Sequence, residues 1–161
     1  MQAFFQNVDG STIYFDKRGQ QVYNHQYIVD QTGAAYYFGT DGRMAINGFT
    51  DFDGHRQYFD QSGHQLKDQF MTDTNGHVYY FEAGNGNMAT YRYAQNAQGQ
   101  WFYLGGDGIA VTGLQNINGA NQYFYIDGHQ SKGEFVVLVC EHRTICGEDV
   151  SLTIKLFHTN D

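Results

Sequence analysis

The chain has 161 residues with 20 glycines, 13 tyrosines, 13 phenylalanines and no proline. That composition suits short strands joined by tight turns and leaves little room for long helices. Nine basic against seventeen acidic residues give a formal charge of −8, which repels a phosphate backbone and makes nucleic acid a poor partner; no run nears the roughly eighteen apolar residues of a membrane span, so membrane insertion is not expected.

Taken in order, the chain repeats one unit. The first copy, from about Asn7 to Asp30, carries Ile13-Tyr14-Phe15 as a strand, followed by the turn Asp16-Lys17-Arg18-Gly19. The second has Tyr36-Tyr37-Phe38 and Gly39-Thr40-Asp41-Gly42, the third Gln57-Tyr58-Phe59 and Asp60-Gln61-Ser62-Gly63. In the fourth, Val78-Tyr79-Tyr80-Phe81 lies between glycine-bearing turns at Gly76 and Gly84 to Gly86. The fifth diverges most and holds the single tryptophan in Trp101-Phe102-Tyr103-Leu104; the sixth reads Gln122-Tyr123-Phe124 before Tyr125-Ile126-Asp127-Gly128.

The closing residues Phe15, Phe38, Phe59, Phe81, Leu104 and Phe124 are spaced by 23, 21, 22, 23 and 20 residues, and the glycine five before each keeps the same spacing. A fixed period of about 20 to 50 residues marks a solenoid, a propeller or a linear array, and aromatic strands flanked by glycine turns select hairpins. The expected fold is therefore all-β: a solenoid of six stacked β-hairpins, without helix. Successive strand residues face opposite ways. The closing row is accordingly assigned to a shared core, and Tyr14, Tyr37, Tyr58, Tyr80, Tyr103 and Tyr123 to the opposite surface, where they meet ligand or pack on neighbouring hairpins. A second aromatic (Tyr27, Phe49, Phe70, Tyr93 and Phe135, with Leu114 in the fifth copy) is expected to begin the link to the next hairpin.

Catalysis has no recognisable seat. The carboxylates recur one per unit at turns instead of pairing in a cleft, and no Gly-x-Ser-x-Gly elbow, phosphate loop or His-Glu-x-x-His occurs. Cys140, His142 and Cys146 lack the paired spacing and the fourth ligand of a zinc site. The Asp-Gly turns lack the further oxygens of a calcium loop and read as turn residues, so neither metal nor cofactor is called for. What the chain does supply is tyrosine with glutamine and asparagine. An aromatic face ringed by neutral hydrogen-bonding groups is what a neutral sugar ring needs, and weak sites repeated along an array hold a long polymer by effective concentration. A choline site instead wants a cage of several aromatics around the ammonium; a purely structural spacer is the third possibility.

The pattern Asn-Gly-x-x-Tyr-Tyr-Phe-Asp-x-x-Gly, with His64-Gln65-Leu66-Lys67-Asp68-Gln69-Phe70 and Gly128-His129-Gln130-Ser131-Lys132-Gly133-Glu134-Phe135-Val136, resembles the glucan-binding repeats of bacterial glucansucrases such as dextransucrase, which are related to choline-binding cell-wall repeats. The resemblance runs from about Asn7 to Val136. It implies a β-solenoid of stacked hairpins that binds α-glucan, such as dextran or isomaltooligosaccharides, outside the cell or on its surface. It also implies a module that is not itself an enzyme, attached in its parent to a barrel that makes glucan from sucrose. The chain starts inside a repeat, so it is expected to be a piece of such a protein, which would carry any export signal.

Residues 1–136 are thus expected to form the repeat domain and 137–161 a non-repeat tail. After Val136 the chain turns to Val137-Leu138-Val139-Cys140 and holds both cysteines and no tyrosine. It reads either as a strand-rich cap or as sequence foreign to the family, such as a shifted reading frame would give; the abruptness of the break favours the second.

In the family that it resembles, sugar pockets look like an aromatic platform served by a Gln-x-Lys pair on the adjoining hairpin. Two places match, Gln65-Leu66-Lys67 and Gln130-Ser131-Lys132. Residues i and i+2 of a strand share a face, so Gln65 and Lys67 are expected to be exposed and to bond hydroxyls of one ring, with Tyr79 or Tyr80 stacking and with Tyr58 and Thr72 at the edge. The second place, with Tyr123, Gln130 and Lys132, precedes the tail and is expected to lack its platform, which makes it secondary. The alternative at both places is a solvated strand face.

Overall fold

Each aromatic triplet pairs with the strand on its N-terminal side. The structure, a computed structural model, describes residues 2–23, 26–132, 135–136 and 156–157. Six two-stranded sheets follow one another: β1 (Phe4–Val8) with β2 (Ser11–Phe15), β3 (Gln26–Val29) with β4 (Ala35–Phe38), β5 (Gly48–Phe52) with β6 (His55–Phe59), β7 (Gln69–Thr72) with β8 (Val78–Phe81), β9 (Arg92–Gln95) with β10 (Trp101–Leu104), and β11 (Gly113–Ile117) with β12 (Ala120–Phe124). A further antiparallel pair joins β13 (Phe135–Val136) to β14 (Leu156–Phe157). No helix occurs among the described residues. The protein is an all-β repeat of stacked hairpins, as its period implies. It divides into two compact units, Met1–Met71 with Tyr79–Thr90 and Thr72–Val78 with Tyr91–Asp161.

Two kinds of turn close the hairpins, and both are written in the sequence. Asp9-Gly10, Asp53-Gly54 and Asn118-Gly119 are two-residue turns with positive φ at both positions, the type I′ geometry whose twist matches that of the strands. The other three hairpins use five-residue loops opened by an Asx side chain. Asp30 Oδ1 accepts the N–H groups of Thr32 and Ala34 at 2.8 and 3.1 Å; Asp73 and Asn96 do the same for Asn75 and His77 and for Gln98 and Gln100. The recurring acids are turn residues, as their spacing suggests.

In the first unit each hairpin lays a cross-strand aromatic pair on the closing phenylalanine of the next. Phe5 and Tyr14 lie 6.4 and 5.9 Å from Phe38, Tyr27 and Tyr37 lie 6.4 and 6.0 Å from Phe59, and Phe49 and Tyr58 lie 6.4 and 6.1 Å from Phe81. Phe38, Phe59 and Phe81 are fully buried, as are Leu104 and Phe124 in the second unit; each such side chain contributes roughly 1.5–3 kcal/mol. Main-chain bonds reinforce the stack. The residue that follows each link turn donates its N–H back to the second strand of the hairpin before: Met44 to Thr12 O at 2.8 Å, Gln65 to Ala35 O at 2.9 Å, Met88 to Arg56 O at 2.7 Å, Ala110 to Val78 O at 2.8 Å and Gln130 to Trp101 O at 2.6 Å.

Two expectations are corrected here, and one open alternative is decided for part of the chain. Phe15 is half-buried, not fully buried, because no earlier hairpin in this chain lays an aromatic pair on it; Phe4 of its own hairpin stacks on it at 5.2 Å. Of the two roles open to the tyrosine row, packing on the neighbouring hairpin is the one taken in the first unit: Tyr14, Tyr37 and Tyr58 lie on the next closing ring, and Tyr37 is only 3% exposed. The second aromatic belongs to the first strand of the hairpin itself, where Tyr27 faces Tyr37, Phe49 faces Tyr58, Tyr93 faces Tyr103 and Leu114 faces Tyr123. The tail, 137–161, lies outside the described residues except for the strand pair that includes Leu156 and Phe157.

Candidate functional site

The Gln65-Leu66-Lys67 place begins on the link that follows β6, and its first residue turns inward. Gln65 is 9% exposed, and its Nε2 donates to the carbonyl of Asn85 at 2.9 Å. Gln57, 6% exposed, donates to Asn87 Oδ1 at 2.9 Å and accepts the Tyr27 hydroxyl. Two buried amides thus clamp the turn that follows β8, satisfying groups that burial would otherwise penalise. Gly86 completes that turn at φ 69°, and a Cβ there would stand 2.6 Å from Gln65 Nε2. The expectation that Gln65 is exposed is therefore corrected: its amide is spent on the protein.

Lys67, two residues on, is half-buried. Asp68 follows it in the left-handed region at φ 51° and accepts the Tyr80 hydroxyl at 2.7 Å. Tyr80 is half-buried and packs on Phe70 at 4.9 Å. The exposed Asp68 carboxylate and the Tyr80 hydroxyl are thus joined, and the half-buried Lys67 precedes Asp68 in the chain. Tyr79 differs: it is 8% exposed and packs against Phe49 at 5.2 Å. Of the two candidate stacking rings, Tyr80 is the more exposed. Tyr58 meets Phe49 at 5.2 Å and Phe81 at 6.1 Å, so it supports the core below. Thr72 is exposed and belongs to the second unit, whereas the other five belong to the first.

At the second place Gln130 Nε2 donates to Gln122 Oε1 at 2.6 Å, and the same oxygen accepts the Tyr93 hydroxyl at 2.6 Å. Tyr123 meets Tyr125 edge-on at 5.7 Å. Lys132 is exposed, with its ammonium 4.5 Å from the centroid of the half-buried Trp101 ring, a cation–π contact. The expectation that this place lacks an aromatic partner is corrected, because the ring comes from the preceding hairpin and not from the one that would follow.

Burial also tunes the groups behind the first place. The Tyr27 hydroxyl is pushed up to about 12 by burial, with the neighbouring Tyr37 adding to it and the bond to Gln57 working against it. Among the described residues no three His, Cys, Asp or Glu side chains converge as a metal site; Cys140, His142 and Cys146 lie outside them. Asp68, Gln57, Asn85 and Trp101 are contributors that the spacing of Gln-x-Lys does not announce. Asp68 could have been noticed as an acidic residue directly after that pair, where a left-handed turn into the next strand is needed.

Comparison with known proteins agrees with this architecture. A choline-binding repeat model matches residues 5–49, 47–93 and 111–144, and a putative cell wall binding repeat model matches 95–110. Glucosyltransferase-I of Streptococcus downei is 38% identical over 87 residues, 42% of this chain and 5% of that protein. Glucosyltransferase-I of Streptococcus mutans serotype c is 41% identical over 70 residues, 44% of this chain and 4% of that protein. The matches thus span about one-twentieth of these relatives' length. Among solved structures, choline binding protein F from Streptococcus pneumoniae superposes with a TM-score of 0.63 at 27% identity, over 82% of this chain and 43% of that one. The repeat matches together reach across well over half of the sequence, and the chain belongs to the choline-binding repeat family, to which the glucan-binding repeats of glucosyltransferases are related.

Proposed function

We propose that this chain is a non-catalytic module that binds α-glucan of the dextran type, that it is part of a longer glucosyltransferase acting on sucrose, and that it works outside the cell or at its surface. The observation that carries the reading is the Tyr80 hydroxyl bonded to the exposed Asp68 carboxylate, with Lys67 next to Asp68 in the chain. A tyrosine, a cationic donor and a carboxylate acceptor are the set that suits the apolar face and hydroxyl rim of a sugar. The similarity to two streptococcal proteins named Glucosyltransferase-I, at 38% and 41% identity, supports glucan as the ligand and the cell exterior as the place.

In this reading Tyr80 stacks on a glucose unit, Lys67 and Asp68 bond its hydroxyls, and Tyr58, Gln65 and Tyr79 hold the frame. Gln130, Lys132 and Tyr123 form a secondary site. A second reading, choline binding at the cell wall, draws on the family itself and on Trp101, whose ring already faces a cation. There, however, Lys132 occupies the ring that a quaternary ammonium would need. Retention on cross-linked dextran beads tests the first reading: elution by soluble dextran and not by choline chloride supports it, while passage straight through the column counts against it.

A further inference from the structure

The fifth repeat breaks two local rules at once. Where a link passes into the next hairpin the backbone goes through the left-handed region, at Asn47 (φ 48°), Asp68 (φ 51°), Tyr91 (φ 50°) and Gly113 (φ 71°). Asparagine, aspartate and glycine tolerate that conformation, but a tyrosine there is an outlier. Packing does not repay it, since Tyr91 is 76% exposed. Nor does the backbone require a ring: the Tyr91 N–H donates to Gly105 O at 3.3 Å, and Asn47 makes the same bond to Asp60 O at 2.9 Å.

The second departure is Gly106. Thr40, Gln61 and Ile126 stand at the matching turn position of other repeats, and the φ of Gly106 lies outside the left-handed range, so its conformation does not call for glycine. A Cβ at this position would lie 2.1 Å from Tyr91 Oη and 2.4 Å from Cζ. The tip of the exposed Tyr91 ring thus rests over Gly106, and a side chain there would move it aside. Beside them Asp107 is exposed, with Oδ1 accepting the Ile109 N–H at 3.0 Å and standing 3.1 Å from where a Cβ on Gly105 would be.

We propose that Tyr91 is a surface platform that stacks on the apolar C–H face of a pyranose ring, with the Asp107 carboxylate accepting a hydroxyl at its rim. The site rests on the glucan reading above but uses none of the residues of the two Gln-x-Lys places. An outlying backbone conformation at an exposed ring, with no packing to repay it, points to a task for the position. A single, open ring suits the flat face of a sugar, whereas a quaternary ammonium wants rings on several sides.

The test labels the tyrosine rings of the full chain for NMR, identifies the Tyr91 signals by their loss in Tyr91→Asn, and adds isomaltotriose or choline chloride. The Tyr91 signals are expected to shift with isomaltotriose and not with choline. Tyr91→Asn is expected to weaken dextran affinity about two- to tenfold, the worth of one aromatic face contact, with the melting temperature unchanged or raised. Gly106→Ala, which pushes the ring aside, should weaken affinity in the wild-type background and not in the Tyr91→Asn background. Shifts elsewhere with Tyr91 silent would overturn the platform and leave the glucan reading standing, and no shift anywhere would overturn both. A response to choline alone, or a much lower melting temperature in Tyr91→Asn, would also overturn the platform, as a cation site or a structural ring respectively.

Discussion

The Tyr93 hydroxyl donates to Gln122 Oε1 at 2.6 Å, and in the other unit Tyr27 donates to Gln57 in the same way. The choice at this contact follows one rule. Where the residue two before the closing ring is glutamine, the preceding first strand offers tyrosine; where it is Tyr36 or Tyr79, the preceding strand offers Phe5 or Phe49, with ring centroids 5.0 and 5.2 Å apart. A half-buried hydroxyl is thus matched with an acceptor and an apolar ring with another ring.

Removing the Tyr93 hydroxyl in Tyr93→Phe is expected to cost about 0.5–1.5 kcal/mol in urea unfolding. Gln122→Leu should cost more, about 1–3 kcal/mol, because Tyr93 and Gln130 Nε2 both lose their acceptor. The pair Tyr93→Phe with Gln122→Tyr recreates the Phe49–Tyr79 arrangement and should recover part of that loss. A Tyr93→Phe chain as stable as the wild type would show that the rung carries no weight.

The closing rings divide by position. Phe59→Ala empties a site with 0% exposure and should cost about 3–5 kcal/mol, the range for a buried phenylalanine. Phe15→Ala, at a half-buried ring, should cost less than half of that. Equal losses would contradict the packing of each closing ring under the hairpin before it.

How much of this the sequence holds is seen at particular residues. The regular return of Phe38, Phe59, Phe81 and Phe124 between glycines is enough for stacked hairpins with those rings inside, because turn and core signals share one period. The partner strand is harder to see: Gln69–Thr72 has only Phe70 and Met71 as apolar residues, and Phe70 reads as a linker until it is seen facing Tyr80. Strand alternation sends Tyr37 and Phe38 to opposite faces correctly, but does not say that both faces are covered. Gln57 and Gln65 look exposed by residue type, and only their three-dimensional partners, Tyr27, Asn85 and Asn87, show that they are structural amides. Lys67 and Asp68 remain legible as an accessible polar pair.

The turn glycines should also separate. Gly86→Ala meets both the left-handed backbone and Gln65 Nε2 at 2.6 Å and Leu66 O at 2.8 Å, so it is expected to cost well over the roughly 1–2 kcal/mol of the conformation alone. Gly10→Ala, at φ 77° with nothing within 4 Å, should cost only about that amount. Comparable melting temperatures for the two would contradict the close seat of Gln65 under the turn.

Stability should fall at both ends of the pH scale. The backbone N–H of Gln20 foremost holds the Asp16 carboxyl below its usual range, and the Thr32 hydroxyl foremost does so for Asp30, against some opposing burial. Unfolded chains take up these protons near pH 3.9 and the folded chain only lower. Their contribution is complete above that value and is lost as the pH falls through the lowered folded values. Tyr27 works in the opposite sense. With its hydroxyl raised from 10.0 to about 12, the unfolded chain releases the proton first, so stability present below pH 10 is lost as the pH climbs toward about 12. Melting temperatures measured across the range should show both limbs, with the alkaline one shallower in Tyr27→Phe; an unchanged alkaline limb in that variant would contradict the burial of Tyr27.

Glucan recognition beside Tyr80 is tested most directly by affinity electrophoresis of the wild type, Lys67→Ala and the Gln130→Ala with Lys132→Ala double variant, through gels with and without dextran. Lys67 is the better probe than Gln65, whose amide bonds Asn85 O inside the fold and whose loss would lower stability as well. The wild type should be retarded by dextran and remain so in choline chloride; Lys67→Ala should lose most of that retardation at an unchanged melting temperature, and the double variant should lose much less. A wild type that runs freely through dextran, or is released by choline, would contradict the account, and so would a Lys67→Ala chain retarded as strongly as the wild type.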